Sequence, residues 1–184
     1  MASATAPSSG GATSFAGGLR GVQEQHTITV LVNNEPGVLA RVSGLFARRG
    51  YNIESLTVSI TEDPLVSRMT IVVAGDADVL EQITKQLHKL VDVLKVYDYL
   101  DTPLLARELA LVKVNAEAGQ RLELMQLIDI FRGRVIDVSD RTYVIEVTGG
   151  SDKIDAFEKQ MEQFGVRELV RTGRIAMMRG PRTV

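Results

Sequence analysis

The sequence predicts an α+β protein of two tandem domains, each with the element order βαββαβ. Strands are indicated by alternating apolar residues and helices by apolar residues at helical spacing. Their order occurs once before residue 101 and again after residue 107. Right-handed crossovers then place both helices of each half on one face of an antiparallel sheet. The 184 residues are 45% hydrophobic and 24% charged, which provides enough apolar side chain for a core in each half.

The first strand and the first helix are separated by a polar turn. Ile28, Val30 and Val32 alternate over residues 27–32, as in a half-buried strand. A Pro-Gly turn follows at residues 33–37. Gly50 supplies the left-handed residue that commonly ends a helix. Between the turn and Gly50, apolar residues recur at helical spacing: Val38, Leu39, Val42, Leu45 and Phe46.

A hairpin, a second helix and a last strand complete the first half. Residues 53–60 and 67–73 alternate and are separated by a proline-containing turn, which predicts the hairpin. Asp78 and Glu81 have the spacing of a capping box at the start of a helix. Apolar residues follow at helical spacing, and residues 93–99 return to an alternating pattern.

The same order returns in the second half of the chain. Aligning Leu31 with Val112 superposes the first strands of the two halves. Ser151 is expected to cap the last helix. The predicted elements are a strand over residues 109–114, a helix that ends near Gly133, a hairpin of residues 135–138 and 143–147, a helix that ends at Gly165, and closing strand material over residues 166–178.

These patterns divide the chain into four segments. Residues 1–25 are rich in Ala, Ser, Gly and Thr and contain no acid before Glu24, so we expect a disordered tail. A remnant of a plastid transit peptide is the alternative. The first domain covers residues 26–100, a linker covers residues 101–107, and the second domain covers residues 108–180. Each small sheet leaves one face partly unprotected, which favours a dimer.

Composition and charge exclude several classes of function. The absence of cysteine excludes disulfides, iron–sulfur clusters and thiol catalysis. A net charge of −2 gives no global attraction to nucleic acid, and residues 67–73 lack the aromatic residues of an RNA-recognition motif. No apolar run approaches the ~20 residues that cross a membrane. His26 and His88 are far apart in sequence and are expected to be solvated and structural.

The first loop is the candidate for binding a small ligand. A proline and a glycine lie at the start of a helix, where backbone N–H groups have no helical partner and attract a carboxylate. Gly37 lets a ligand approach the backbone closely, and Asn34 can accept a hydrogen bond from an ammonium group. An ordinary βα turn explains the same residues equally well. The candidate residues are Asn34, Glu35, Pro36, Gly37, Val38 and Leu39.

The residues of this loop and of the segments around it resemble a known family. Residues 34–39 and 45–56 are similar to the ACT domain of the small regulatory subunits of acetolactate synthase, also called acetohydroxyacid synthase. Residues 67–71, 82–91, 107–114 and 130–138 look like the same family. The resemblance covers residues 26 to about 180. It implies an ACT domain followed by a second ferredoxin-like domain.

The resemblance also implies a function in the biosynthesis of valine, leucine and isoleucine. In that family the small subunit is not an enzyme on its own; it activates the large catalytic subunit and confers feedback inhibition by valine. The partner is a thiamine-dependent transferase that joins two pyruvates, or pyruvate and 2-oxobutanoate. Thiamine diphosphate, Mg and FAD belong to that partner, so no cofactor is expected in this chain. A cytoplasmic location is expected, or the plastid stroma if the tail is a transit remnant.

The site residues implied by the resemblance come from two copies of the chain. Residues 34–39 of one ACT domain hold the amino acid, and Asn52 and Ile53 of a second copy close the site, which requires a homodimer. Two other functions stay open. A stand-alone ACT-domain amino-acid sensor needs a DNA-binding helix pair if it regulates transcription, and none is visible. A small hydrolase needs turnover without a partner.

Overall fold

The computed structural model describes residues 25–100, 103–181 and 183–184. Residues 1–24 of the predicted tail, which was assigned to residues 1–25, and linker residues 101 and 102 therefore lie outside the described residues. The first half contains β1 (Gln25–Asn33), α1 (Val38–Arg49), β2 (Ile53–Ile60), β3 (Val66–Ala74), α2 (Ala77–Leu87) and β4 (Val93–Asp98). The second contains β5 (Leu104–Asn115), α3 (Arg121–Ile130), β6 (Arg134–Val138), β7 (Thr142–Gly149), α4 (Ser151–Met161), β8 (Val166–Arg171) and β9 (Ile175–Met178). The predicted α+β class with two βαββαβ units is confirmed.

The first sheet has the strand order β2-β3-β1-β4, with every pair of neighbours antiparallel. Ile28, Val30 and Val32 of the central strand β1 are fully buried. They pack in one core with Val42 and Phe46 of α1. This one-sided core forms because alternating strand residues and one helix stripe are the apolar surfaces of these elements.

The second sheet repeats this arrangement with the order β6-β7-β5-β8. Ala110, Val112 and Val114 of β5 are fully buried in its core. The rings of Phe131 and Phe157 meet edge to face, with their centroids 5.2 Å apart. The two halves therefore have separate cores built in the same way.

The predicted alignment of the two halves is wrong by one residue. The pairing with the last core strand shifts between Leu31 and Val32 in β1 and between Lys113 and Val114 in β5. Leu31 is therefore equivalent to Lys113, where the sequence aligned it with Val112. A shift of one residue exchanges the two faces of a strand. The pattern did not reveal the error because Leu31 is apolar although it lies on the face opposite the core.

Two predicted segments start differently in the structure. Gln25, assigned to the tail, pairs with Ala74 as the first residue of β1. Residues 104–107, assigned to the linker, form the first part of β5 and pair with β9. His26 is 5% exposed, and its Nε2 lies 3.0 Å from the carbonyl oxygen of Gly75, so the prediction that its side chain is solvated is wrong. His88 is exposed.

The β5–β9 ladder also packs against the outer face of the first sheet. Ala176 and Met178 form a small buried cluster with Tyr99 at the end of the first half. The hydroxyl of Tyr99 lies 2.9 Å from the hydroxyl of Thr29, and Arg68 Nη2 donates to the Ala176 carbonyl at 2.9 Å. The face of the first sheet that carries no helices is therefore partly covered by the second half of the chain.

Candidate ligand-binding site

The first loop turns from β1 into α1 at Gly37. This residue has φ 85° and ψ −10°, in the left-handed region where a side chain is disfavoured. The first turn of α1 contains no acidic residue. The Gly37 carbonyl accepts from the Arg41 N–H at 3.0 Å. The first N–H groups of a helix, by contrast, have no partner within the helix. The Val38 N–H donates to the Glu35 carbonyl at 3.4 Å, so the donors that α1 offers to a ligand are the N–H groups that follow Val38.

Asn34 ties this loop to the turn between β2 and β3. Its Nδ2 donates to the Pro64 carbonyl at 2.9 Å, and its Oδ1 accepts from the Ser67 hydroxyl at 3.0 Å. Its backbone N–H donates to the Leu65 carbonyl at 2.8 Å. The residue was predicted to accept from a ligand ammonium group, and its oxygen already has one donor. Asn34 thus shapes the loop, a role that the sequence pattern did not reveal.

Arg41 is a charged neighbour of the loop that sequence reasoning missed as a site residue. Its Nε lies 2.6 Å from Asp92 Oδ2, and the hydrogen bond to this carboxylate raises the pKa of Arg41. A Cβ added at Gly37 would lie 3.3 Å from Arg41 Nη1. The guanidinium group therefore adds positive charge beside the helix start. An Arg four residues after the glycine was the signal in the sequence, since that spacing returns to the same helix face.

Asn52 and Ile53 lie at the other end of the domain. The helix α1 separates them from the first loop, and its 12 residues span roughly 18 Å at 1.5 Å per residue. Asn52 is exposed and its Nδ2 donates to Glu54 Oε1 at 2.6 Å. Ile53 is half-buried at the start of the edge strand β2. Within one chain, the structure brings residues 34–39 together but keeps Asn52 and Ile53 apart from them.

Two clefts occur between the halves, with volumes of about 450 and 560 Å³. Neither is lined by the predicted site residues. The smaller cleft contains Glu108, which is 7% exposed and paired with Arg171 at 2.8 Å. The Arg171 guanidinium holds the pKa of Glu108 below its usual value. Arg171 also pairs with Asp155 and Glu158. Because it is surrounded by three carboxylates of its own chain, whereas Arg41 pairs with Asp92, the cleft is a weaker candidate for binding a carboxylate than the first loop.

The described residues, 25–100, 103–181 and 183–184, offer neither a group of metal ligands nor a membrane-spanning helix. No group of three His, Cys, Asp or Glu residues in these ranges is arranged to hold a metal ion. None of the helices described there is long and apolar enough to cross a membrane.

Comparison with known proteins gives matches over both halves of the chain. A family model described as the small subunit of acetolactate synthase matches residues 107–180, and one described as an AHAS small subunit-like ACT domain matches residues 28–95. A probable acetolactate synthase small subunit of Archaeoglobus fulgidus is 54% identical over 156 residues, which are 85% of this chain and 98% of the relative. The acetolactate synthase small subunit of Mycobacterium leprae is 53% identical over 159 residues, 86% of this chain and 94% of the relative.

A solved structure is similar along nearly its whole length. The crystal structure of the acetolactate synthase small subunit from Thermotoga maritima is 45% identical, with a TM-score of 0.79. The match covers 86% of this chain and 99% of that one. The similarity therefore includes both sheets and their order in the chain.

Proposed function

Because the chain belongs to the family of acetolactate synthase small subunits, we propose that it binds and activates the large catalytic subunit of that enzyme. It has no acetolactate synthase activity of its own. Thiamine diphosphate, Mg and FAD belong to the catalytic partner, which joins two pyruvates, or pyruvate and 2-oxobutanoate, in the biosynthesis of valine, leucine and isoleucine. The ACT domain gives the complex a feedback response to an amino acid.

The proposed effector is valine, bound between the ACT domains of two copies of the chain. One observation carries this proposal: the two predicted halves of the site lie at opposite ends of the edge strand β2. Its first residue, Ile53, follows Asn52, and its last residue, Ile60, leads into the turn held by Asn34. A two-fold axis that places β2 antiparallel to its partner brings the first end of one copy to the last end of the other.

The residues on both sides of the proposed site suit a zwitterion with a small aliphatic side chain. Backbone N–H groups at the start of α1 and the cation of Arg41 attract the carboxylate. The amide oxygens of Asn34 and Asn52 accept from the ammonium group. Leu39, which is 45% exposed, offers apolar surface to the side chain. The amino acid inhibits only because it binds one arrangement of the paired subunits more tightly than another.

A stand-alone amino-acid sensor is the second candidate function. It shares the ACT domain and its ligand, so binding of valine does not separate the two proposals. The response of the catalytic subunit does. A sensor binds the amino acid without raising acetolactate formation by the catalytic subunit.

Reconstitution with the catalytic subunit tests the proposed function. We expect acetolactate formation to rise when the chain is added and to fall again when valine is titrated. Calorimetry of the isolated chain with valine, leucine and isoleucine gives the preferred effector, and sedimentation gives its oligomeric state. Activation without any amino-acid response contradicts the effector proposal. Valine binding without activation favours the sensor.

A further inference from the structure

The loop between β8 and β9, residues 172–174, lies on the outer face of the edge strand β2. Thr57 Oγ1 donates to the Thr172 carbonyl at 3.2 Å, and the Arg174 N–H donates to Ser55 Oγ at 3.1 Å. Gly173 has φ 80°, and a Cβ added there would lie 2.5 Å from Ser55 Oγ and 2.9 Å from Thr57 Oγ1. Both its backbone conformation and the available space therefore require glycine.

The side chain of Arg174 extends the same contact across both halves of the chain. Its Nη1 donates to Thr27 Oγ1 of β1 at 3.1 Å, and its Nη2 donates to Gln25 Oε1 at 3.3 Å. Nη2 also donates to Ser151 Oγ at the start of α4 at 3.0 Å. One guanidinium group thus joins the first sheet to a helix of the second domain.

The contact with Ser55 lies next to an irregularity in β2. Ile53 pairs with Val73 and Ser55 pairs with Val72, so β2 has an extra residue between them. Such a bulge bends its strand and changes the direction of the side chains beside it. Ser55 is the first residue that pairs regularly after this bulge, and Asn52 and Ile53 lie directly before it. A contact that fixes the position of Ser55 therefore restricts the geometry of the bulge.

We propose that the loop of residues 172–174 is a positioning element for the half of the effector site formed by Asn52 and Ile53. The second domain then sets the effector affinity of the first without contacting the effector. The side chains of Ser55 and Thr57 transmit this effect because they join the loop to β2. The inference rests on the proposed function, since it assumes that the amino acid contacts Asn52 and Ile53.

A pair of identical substitutions on one strand tests the proposal. Ser55→Ala removes the hydroxyl group that accepts from Arg174. Ser59→Ala is the matched control, because Ser59 lies on the same face of β2 and its hydroxyl donates to the Ile60 carbonyl. We expect Ser55→Ala to speed hydrogen exchange at the amides of Asn52 and Ile53 and to weaken valine binding severalfold, with no such change in Ser59→Ala.

Gly173→Ala is the stronger variant, because its Cβ forces the loop away from Ser55 and Thr57. We expect valine affinity to fall about tenfold, which is within the usual range of coupling between sites. Should this variant fail to fold, Ser55→Ala still tests the proposal. Valine affinity equal to that of Ser59→Ala in the folded variants overturns the proposal, even where hydrogen exchange rises.

Hydrogen exchange separates failure of this inference from failure of the proposed function. A wild-type chain that binds no branched-chain amino acid contradicts the effector proposal alone. In that case faster exchange at Asn52 and Ile53 in Ser55→Ala still supports the positioning of these residues by the loop. If exchange at Asn52 and Ile53 is the same in Ser55→Ala as in Ser59→Ala, the proposal that the loop positions these residues is overturned. A general loss of stability, by contrast, speeds exchange over the whole first sheet and does not favour these two amides.

Discussion

The two halves of the chain share one topology but join their first loops to the neighbouring hairpin through different side chains. In the first half, Asn34 donates from the loop to the Pro64 carbonyl of the hairpin at 2.9 Å. In the second half, the equivalent residue is the buried Ala116, and the donor is Arg121. Its guanidinium group donates to the Ala116 carbonyl at 3.0 Å and to the Asp140 carbonyl at 2.6 Å.

This difference is the reason that the proposed ligand site is placed in the first half and not in the second. Asn34 is a short side chain that holds the hairpin and leaves the start of α1 open. Arg121 is the first residue of α3, and its side chain lies across the loop with its guanidinium carbon 5.8 Å from the centre of the Tyr143 ring. The loop between β5 and α3, residues 116–120, is the second loop of this comparison. It is therefore already occupied by a cation of the same chain. A shared fold does not carry a shared function; the residues at the loop decide it.

The largest effect is expected from placing a carboxylate in the first loop. In Gly37→Asp, the new side chain points towards Arg41 and occupies the position proposed for the carboxylate of valine. We expect the reconstituted complex to keep its activation and to lose its response to valine. Gly119→Asp is the matched control in the second loop, where an added Cβ meets no atom within 4 Å. Undiminished inhibition in Gly37→Asp, or an equal loss in Gly119→Asp, contradicts the assignment of the site.

The ion pairs of the two halves differ in burial, and this predicts the next largest effect. Arg171→Met leaves Glu108, which is 7% exposed, without its bidentate partner and is expected to cost about 2 to 3 kcal/mol of stability. Arg41→Met removes a pair in which Arg41 is 47% exposed, and we expect little change because water and salt screen it. Urea denaturation of both variants gives the comparison. Equal losses would show that burial does not separate the two pairs.

The same buried pair predicts a dependence of stability on pH. The hydrogen bonds from Arg171 lower the pKa of Glu108, so folding favours the ionised carboxylate. This stabilisation is fully present above the ordinary pKa of Glu108 and is lost as the pH falls through its lowered value in the folded protein. Between neutral and acid pH, wild type should therefore lose more stability than Glu108→Gln. Parallel losses of the two proteins in acid would contradict the assignment.

The smallest effect is expected at the ends of the first helix of each half. Both helices end on a left-handed residue, Gly50 with φ 72° in the first and Arg132 with φ 52° in the second. Arg132→Gly removes the steric conflict of a side chain in this region and is expected to stabilise the protein by about 1 kcal/mol. Gly50→Ala introduces it and should destabilise by a similar ~1 kcal/mol. Thermal melting of both variants measures the difference, and shifts of the same sign would contradict this account.

The order of elements was predictable from sequence because strands and helices have different apolar periods. The division of residues 166–178 into β8 and β9 was not predictable from these periods. The apolar pattern predicts closing strand material over these residues without dividing it, whereas in the structure β8 ends before Gly173 and β9 pairs with residues 104–107. Both pieces alternate, so the pattern gives no sign of the break. The glycine itself was the signal, since an isolated glycine in a strand pattern often marks a bend.

The composition of the first loop was predictable, but its contacts were not. Pro36 and Gly37 indicate a tight turn from their own backbone preferences. The partner of Asn34 lies 30 residues away in a different turn, and the contact of Arg174 with Ser55 spans 119 residues. Only the fold brings such residues together. Arg41 is not evident as a site residue from the loop sequence because it lies in the next helical turn, where its side chain faces Gly37.

A crystal structure of the chain grown with valine tests the central claim most directly. We predict one valine molecule for each chain, with its carboxylate at the N–H groups after Gly37 of one copy and its ammonium group near Asn52 of a second copy. Valine bound in the cleft between the two halves, or beside Arg121 in the second loop, would contradict the account. So would a site formed by a single copy without contact to Asn52.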